Sequence, residues 1–259
     1  MTALEDRAFG PYAPAVPADL DPDGDLPARQ RWLAGVCLGA LGRYADATRF
    51  LLPAGEPAGS LAASCAASHL RQRSRHRDAE PLDLLALELA RTAEERADAL
   101  VGLVADAVGA LDLAESRRRL RGAAAQIDSD GTWRAGVRLA WVRAEVALLH
   151  DDPPDALTWA RRAGKRSRQV CAWRHAVKSD LVLGAALEAA GHRRAAARVL
   201  GGVAARADRL GLLTLAWPAR TVRARIVDGR APALAARERQ RSAYAESIIE
   251  AASDGPSTR

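Results

Sequence analysis

The sequence predicts an all-α protein made of successive helical hairpins. Composition gives the first reason: apolar residues make up 49% of the chain but aromatics only 4%, and much of the apolar share is alanine and leucine. Both are strong helix formers. Runs of β-branched and aromatic residues, which favour strands, are nearly absent. The other two reasons are a regular alternation of helical stretches with short turns, and an internal repeat.

The predicted helices are bounded by recognisable turns. Gly42, Gly109 and Gly191 stand just past a helix end, where glycine is favoured, and Asp152 precedes Pro153 at a helix start. Helices are predicted near residues 28–41, 43–52, 58–73, 79–91, 93–108, 111–125, 132–149, 154–168, 172–190, 193–210, 213–228 and 231–252.

Two segments of the chain repeat each other: GVCLGALGRYADATRFL from Gly35 and GAALEAAGHRRAAARVL from Gly184. In each, a glycine inside one helix is followed after seven residues by a turn glycine, and after five more by an alanine of the next helix. Weaker copies with the same spacing are Ala67, Ser74 and Ala79; Gly102, Gly109 and Ala114; and Ala144, Asp151 and Ala156. The repeat length matches that of helical-hairpin solenoids.

This spacing, with Leu38 and Tyr44 in the first copy, resembles the tetratricopeptide repeat over roughly residues 28–230. The resemblance implies a right-handed α-solenoid of about five to six antiparallel helix pairs, whose first helices line a concave groove. We expect this domain to span residues 28–252. The alternative is an irregular helical bundle.

The two ends of the chain are predicted to be disordered. Residues 1–27 are rich in proline and carry six acidic residues against one arginine, a net charge of −5. Such a stretch has few large apolar groups to bury. Residues 253–259, which contain SDGPSTR, have the same character.

The first helices of four of the five predicted pairs carry a cationic residue at one repeat position, and two of them carry a tryptophan one turn later. Arg29 and Trp32 stand at the same positions of the repeat as Arg138 and Trp141. Arginine can hold carboxylates and tryptophan can bury apolar side chains, so this face is a candidate peptide groove. Its predicted residues are Arg29, Trp32, Arg96, Arg138, Trp141 and Lys178. The alternative is that the tryptophans only pack the hairpins together.

A second basic cluster lies in WARRAGKRSRQ, on a second helix of the repeat. It predicts an anion or nucleic-acid patch, since clustered guanidiniums bind phosphates. A solvated helical face is the alternative. The residues are Arg161, Arg162, Lys165 and Arg166.

The sequence lacks several motifs that are common in enzymes and metal proteins. The sequence has no glycine-rich phosphate loop, no HExxH and no GxSxG. Cys37, Cys65 and Cys171 are far apart, which argues against zinc and suits a reducing cytoplasm. No apolar stretch reaches the length of about 20 residues that spans a membrane.

We therefore expect a non-enzymatic bacterial adaptor or regulator in the cytoplasm, without cofactor or metal. Its partner would be an acidic or C-terminal segment of another protein. Nucleic acid is the alternative partner, bound by a basic α-solenoid. A third hypothesis is an enzyme similar to DNA-repair glycosylases, with Arg138, Trp141 and Glu145 on one helix.

Overall fold

The computed structural model describes residues 3–53, 58–127 and 132–228, and in these ranges every regular element is an α-helix. The helices are α1 (Ala3–Phe9), α2 (Ala28–Ala40), α3 (Tyr44–Leu51), α4 (Ser60–Gln72), α5 (His76–Leu89), α6 (Ala93–Gly109), α7 (Leu113–Ile127), α8 (Trp133–Leu149), α9 (Pro153–Gln169), α10 (Trp173–Ala189), α11 (Arg193–Arg209) and α12 (Leu213–Asp228). The all-α prediction is confirmed for this part of the chain. The predicted helix at 231–252 and tail at 253–259 lie outside the described residues.

Helices α2 to α12 form two rows. The inner row consists of α2, α4, α6, α8, α10 and α12, and each of these packs against the next. The outer row consists of α3, α5, α7, α9 and α11, and each packs against the inner-row helices before and after it. These contacts are consecutive along the chain, as in a solenoid. The inner row also curves back towards its start, since Thr214 Oγ1 of α12 lies 3.4 Å from the carbonyl oxygen of Ala40 in α2.

Each step from an inner-row helix to the next outer-row helix passes through a residue in the left-handed backbone region. These residues are Gly42 (φ +79°), Ser74 (+61°), Leu111 (+58°), Asp151 (+56°) and Gly191 (+77°). Five residues after each stands a small residue with 0% exposure: Ala47, Ala79, Ser116, Ala156 and Ala196. The hairpins therefore share one turn geometry and one close crossing, although their lengths differ.

The third hairpin turns at Leu111, not at Gly109 as the sequence predicts. Helix α6 continues through Gly109 because that glycine serves a close approach: a Cβ there would lie 2.0 Å from Nδ1 of His76. The register of this repeat consequently moves by two residues. Ala114, predicted at the helix crossing, is exposed, and Ser116 takes the buried position.

The glycines that opened the repeat also allow close packing. A Cβ on Gly35 would lie 2.5 Å from Leu51 Cδ2, and a Cβ on Gly184 would lie 2.5 Å from Leu200 Cδ2. The same contact thus occurs in the first and the last hairpin that the sequence repeat connects.

Side-chain caps fix the start of helices in both rows. Thr92 and Glu95 form a reciprocal capping box at α6. The Thr132 hydroxyl accepts from the amide of Ala135 at α8. Asp152 accepts from the amide of Asp155 at 3.1 Å, as predicted for α9.

The N-terminal segment differs from the disordered tail that the sequence predicts. Residues 3–9 form α1, with Leu4, Ala8 and Phe9 buried. The stretch that follows is held by Arg31, which donates to the carbonyl oxygens of Pro22 (2.6 Å) and Gly24 (2.9 Å). Composition gave no sign of this, because three apolar side chains on one helical face suffice to attach a short helix.

None of the helices in the described ranges is long and apolar enough to cross a membrane.

Candidate functional site

An aromatic cluster lies on the inner row. The His175 ring stacks on Trp141, with centroids 5.3 Å apart and planes at 20°, and meets Trp133 edge-on at 5.1 Å. Trp32 approaches the cluster through Phe9 of α1, which lies 5.3 Å from Trp32 and 5.9 Å from His175. Residues from α2, α8 and α10 therefore meet around one aromatic ring of the N-terminal helix.

Arginines surround the same cluster. Arg134 and Arg138 of α8 both pair with Asp98 of α6, Arg134 Nη2 at 2.7 Å from Asp98 Oδ2. Burial alone would raise the pKa of Asp98, but the two guanidiniums outweigh it and hold the pKa below its ordinary value. Asp98 thus stays ionised and neutralises part of the positive charge of Arg134 and Arg138. We call the surface formed by Trp32, Trp133, Trp141, His175, Arg134, Arg138 and Arg174 the inner face.

Arg174 is the member of the inner face that lacks a carboxylate. Within the described residues no Asp or Glu forms an ion pair with it, and its Nε is buried without a hydrogen-bond acceptor. Burial lowers its pKa, and nearby Arg134 and Arg138 add to that effect. Burial raises the pKa of Cys37, and that of Cys65 to about 12, so these thiols do not supply the missing negative charge.

The predicted groove residues fall into two groups. Trp32, Arg138 and Trp141 belong to the inner face. Trp32 is 2% exposed, and Trp141 donates from Nε1 to the hydroxyl of Ser179 at 2.9 Å. Lys178 lies at the edge, 3.1 Å from Glu145 and 5.7 Å from the Trp141 ring. Arg29 is half-exposed and pairs with Glu5 of α1.

Arg96 does not belong to the inner face. It is exposed and lines a separate surface pocket with Thr92 and Ile127. With the third hairpin in its true register, Asp98 takes the place of the repeat that Arg96 was expected to fill. The row of cations on the inner helices is therefore interrupted by a carboxylate.

Sequence reasoning missed Arg134, Arg174 and the role of Asp98. A signal for the two arginines was present: each stands four residues before a predicted groove cation, Arg138 or Lys178, and so on the same helical face. Of the neighbouring polar residues in WRHAVKSD, His175 joins the aromatic cluster. Asp180 instead pairs with Arg168 and Arg206.

His69 lies buried between α2 and α4. Its Nε2 is 3.6 Å from the Cys65 sulfur, its ring centroid is 5.4 Å from that of Tyr44, and its Nδ1 has no partner among the described residues. Burial lowers the pKa of His69 to about 4, and the charges of Arg174 and Arg71 act in the same direction. The folded protein therefore holds this imidazole neutral.

Replacing His69 with leucine should weaken the loss of stability in mild acid. In the unfolded chain His69 binds a proton near pH 6.5, whereas in the folded protein it stays neutral. Protonation therefore favours the unfolded state as pH falls. Between about pH 6.5 and 5.5 this group should lower the free energy of unfolding by about 1 kcal/mol. Urea titrations of both proteins at the two pH values measure the difference, and equal slopes would contradict the prediction.

A buried ion cluster adjoins the inner face. Arg71 of α4 pairs with Asp106 of α6 at 2.9 Å and also with Asp83 of α5. Burial raises the pKa of Asp83 to about 7 and also raises that of Asp106, while Arg71 opposes both shifts. Asp83 also fills the space beside Gly102, where a Cβ would lie 2.3 Å from its carboxylate oxygens. The cluster ties three helices together.

The predicted anion patch is exposed on the outer row. Arg161, Arg162, Lys165 and Arg166 all face solvent on α9. The nearby ring of Trp159 lies 5.2 Å from the Arg162 guanidinium and 4.1 Å from that of Arg143. Both contacts are cation–π pairs, so this ring already has cationic neighbours.

Glu145, the acid of the glycosylase-like reading, pairs with Lys178. No group of three or more His, Cys, Asp or Glu side chains among the described residues is placed to hold a metal ion.

In sequence comparisons, no family model matches the chain and no curated protein is similar to it.

Proposed function

We propose that this chain is a non-enzymatic, cytoplasmic adaptor that binds an acidic or C-terminal peptide segment of a partner protein on its inner face. In this proposal the scaffold is a right-handed, tetratricopeptide-like α-solenoid of about five to six antiparallel helix pairs. The equivalent turns at Gly42, Ser74, Leu111, Asp151 and Gly191 support the repeat.

The observation that carries the proposal is the charge of the inner face. Of its three arginines, Arg134 and Arg138 pair with Asp98, and Arg134 also pairs with Glu94. Arg174 forms no ion pair with a carboxylate among the described residues. Arg174 keeps a buried Nε without an acceptor. A buried donor without an acceptor is costly, so a ligand carboxylate placed there gains more than it would at the exposed surface.

The aromatic rings define the second part of the binding site. Trp133, Trp141 and His175 form an aromatic cluster beside the arginines, and Phe9 of α1 packs against it. Aromatic and arginine side chains in a desolvated centre are the residues that dominate peptide binding. The site therefore suits a segment that carries a carboxylate next to an aromatic or large aliphatic side chain.

Capture of peptides from a defined pool tests the proposal. The immobilised full chain is offered random decapeptides with free C-termini, and the retained peptides are sequenced by mass spectrometry. We expect enrichment of acidic residues or of the free carboxylate beside an aromatic residue. Arg174→Gln should weaken the best peptide by at least about tenfold in fluorescence anisotropy, since a hydrogen bond to a charged group contributes about 1.5–3 kcal/mol.

Arg166→Gln is the matched control, because Arg166 is exposed on the outer row and should leave peptide affinity unchanged. The proposal is wrong if the retained peptides show no preference for acidic residues, or if Arg174→Gln binds them as tightly as the parent does. A single-stranded oligonucleotide serves as the competing probe. If it binds more tightly than any peptide and Arg166→Gln weakens it, the nucleic-acid alternative replaces the adaptor.

A further inference from the structure

Helix α1 already occupies the inner face. It packs against α2 at one end of the inner row and reaches α10 near the other. A helix of seven residues is too short to be stable alone in water, so its conformation depends on this docking. The element on the inner face is thus a short segment held by its surroundings, as a bound peptide would be.

Phe9 is the side chain of α1 that enters the site. Its ring lies 5.3 Å from Trp32 and 5.9 Å from His175. The guanidinium carbons of Arg134 and Arg174 lie 5.2 and 5.8 Å from its centroid. An aromatic ring between tryptophan, histidine and two guanidiniums makes the contacts expected of an aromatic ligand side chain.

Glu5 gives α1 its acidic contact. It stands four residues before Phe9, one helical turn away, and accepts from Arg29 Nε at 3.2 Å. Helix α1 thus presents a carboxylate and an aromatic ring on one face. It satisfies Arg29 and the aromatic cluster but leaves Arg174 without a carboxylate.

We propose that helix α1 is an intramolecular mimic of the ligand, and that the ligand itself is a segment ending in an aromatic residue with an acidic residue one helical turn earlier. The ring replaces Phe9, the acid replaces Glu5, and the terminal carboxylate pairs with Arg174. This inference rests on the proposed peptide-binding function and names its ligand class. The additional ion pair gives an external segment an advantage that α1 lacks.

The tether sets how strongly α1 competes. Residues 10–27 connect it to α2, and this stretch is anchored through Arg31 and through a 2.6 Å contact of Arg49 with Asp23. A short tether gives an attached segment an effective concentration of about a millimolar or more. An external ligand must therefore exceed this internal competition, and weakening α1 should expose the site.

A peptide copy of α1 tests the inference on the full chain. The probe is fluorescein-labelled ALEDRAF with a free carboxylate, compared with the same peptide amidated. Phe9→Ala should bind the free-acid probe at least about tenfold more tightly than the parent, because the internal competitor is weakened. The matched control is Tyr12→Ala, a change in the same segment at a ring that is 59% exposed, and it should bind as the parent does.

Comparison of the free-acid and amidated probes tests whether the terminal carboxylate pairs with Arg174. In the Phe9→Ala chain the amidated probe should bind at least about tenfold more weakly than the free acid, and Arg174→Gln should abolish that difference. Circular dichroism verifies that each variant is folded. If Phe9→Ala fails to fold, Glu5→Arg is the alternative variant. It should detach α1 from the inner face because the new arginine repels Arg29, and it leaves the aromatic cluster unchanged.

If the parent binds the probe as tightly as Phe9→Ala and Glu5→Arg do, the proposal that α1 mimics the ligand is wrong. Absence of probe binding in every folded variant would overturn it as well. In either case retention of acidic peptides from the random pool still supports the proposed function, so the two failures are distinguishable.

Discussion

Replacing Arg71 with leucine should lower the free energy of unfolding by about 3–5 kcal/mol, since removing one partner leaves buried charges unpaired. Asp83 is 0% and Asp106 2% exposed, and one carboxylate oxygen of each already lacks a partner among the described residues. Without Arg71 neither acid has an ion-pair partner among the described residues. Urea-induced unfolding near neutral pH, followed by circular dichroism, measures the loss.

The penalty should depend on pH in a defined direction. Loss of the guanidinium raises the folded-state pKa values of Asp83 and Asp106 further, so the folded variant holds protons that the unfolded chain releases above about pH 4. The variant therefore becomes less stable as pH rises, and its deficit should be larger at pH 8 than at pH 5.

Two companion variants separate charge from packing. Arg75→Leu removes a half-exposed arginine paired with Asp78 and should change stability by less than about 1 kcal/mol. Adding Asp83→Asn and Asp106→Asn to Arg71→Leu removes the unpaired charges and should recover much of the loss. An Arg71→Leu protein as stable as the parent at pH 8 would contradict the argument.

The helices were predictable because their signals are local. Gly42 and Gly191 each follow the end of a helix, and Asp152 stands where a cap is needed. The third turn was not predictable in the same way. Leu111 adopts a left-handed φ, although leucine is not a residue that favours this backbone region. The role of Gly109 depends on its close contact with His76 of another helix.

The candidate site was only partly predictable for a related reason. Trp32 and Trp141 follow the repeat and were placed on one face from spacing alone. The docking of Phe9 joins residue 9 to residue 175, and no periodicity connects such distant positions. Nor does composition reveal that Arg174 lacks an acid, because pairing depends on which carboxylates the fold brings near.

The glycines of the repeat make a further stability prediction. Gly184→Val should lower the free energy of unfolding by about 2–3 kcal/mol, because overpacking forces neighbouring side chains from their preferred rotamers. The reason is geometric: even a Cβ would lie 2.5 Å from Leu200, which is fully buried. Thermal and urea unfolding measure the change.

A double variant tests whether Leu200 causes the cost. Leu200→Ala alone should also destabilise, by about 2–5 kcal/mol, since it removes a buried side chain. In the Leu200→Ala background, however, the added valine fills vacated space, so the combined loss should be smaller than the two losses added together. The corresponding Gly35→Val and Leu51→Ala variants should couple in the same way, because Gly35 faces Leu51 at the same 2.5 Å. Additive losses at both pairs would mean that the repeated glycines do not mark a shared helix contact.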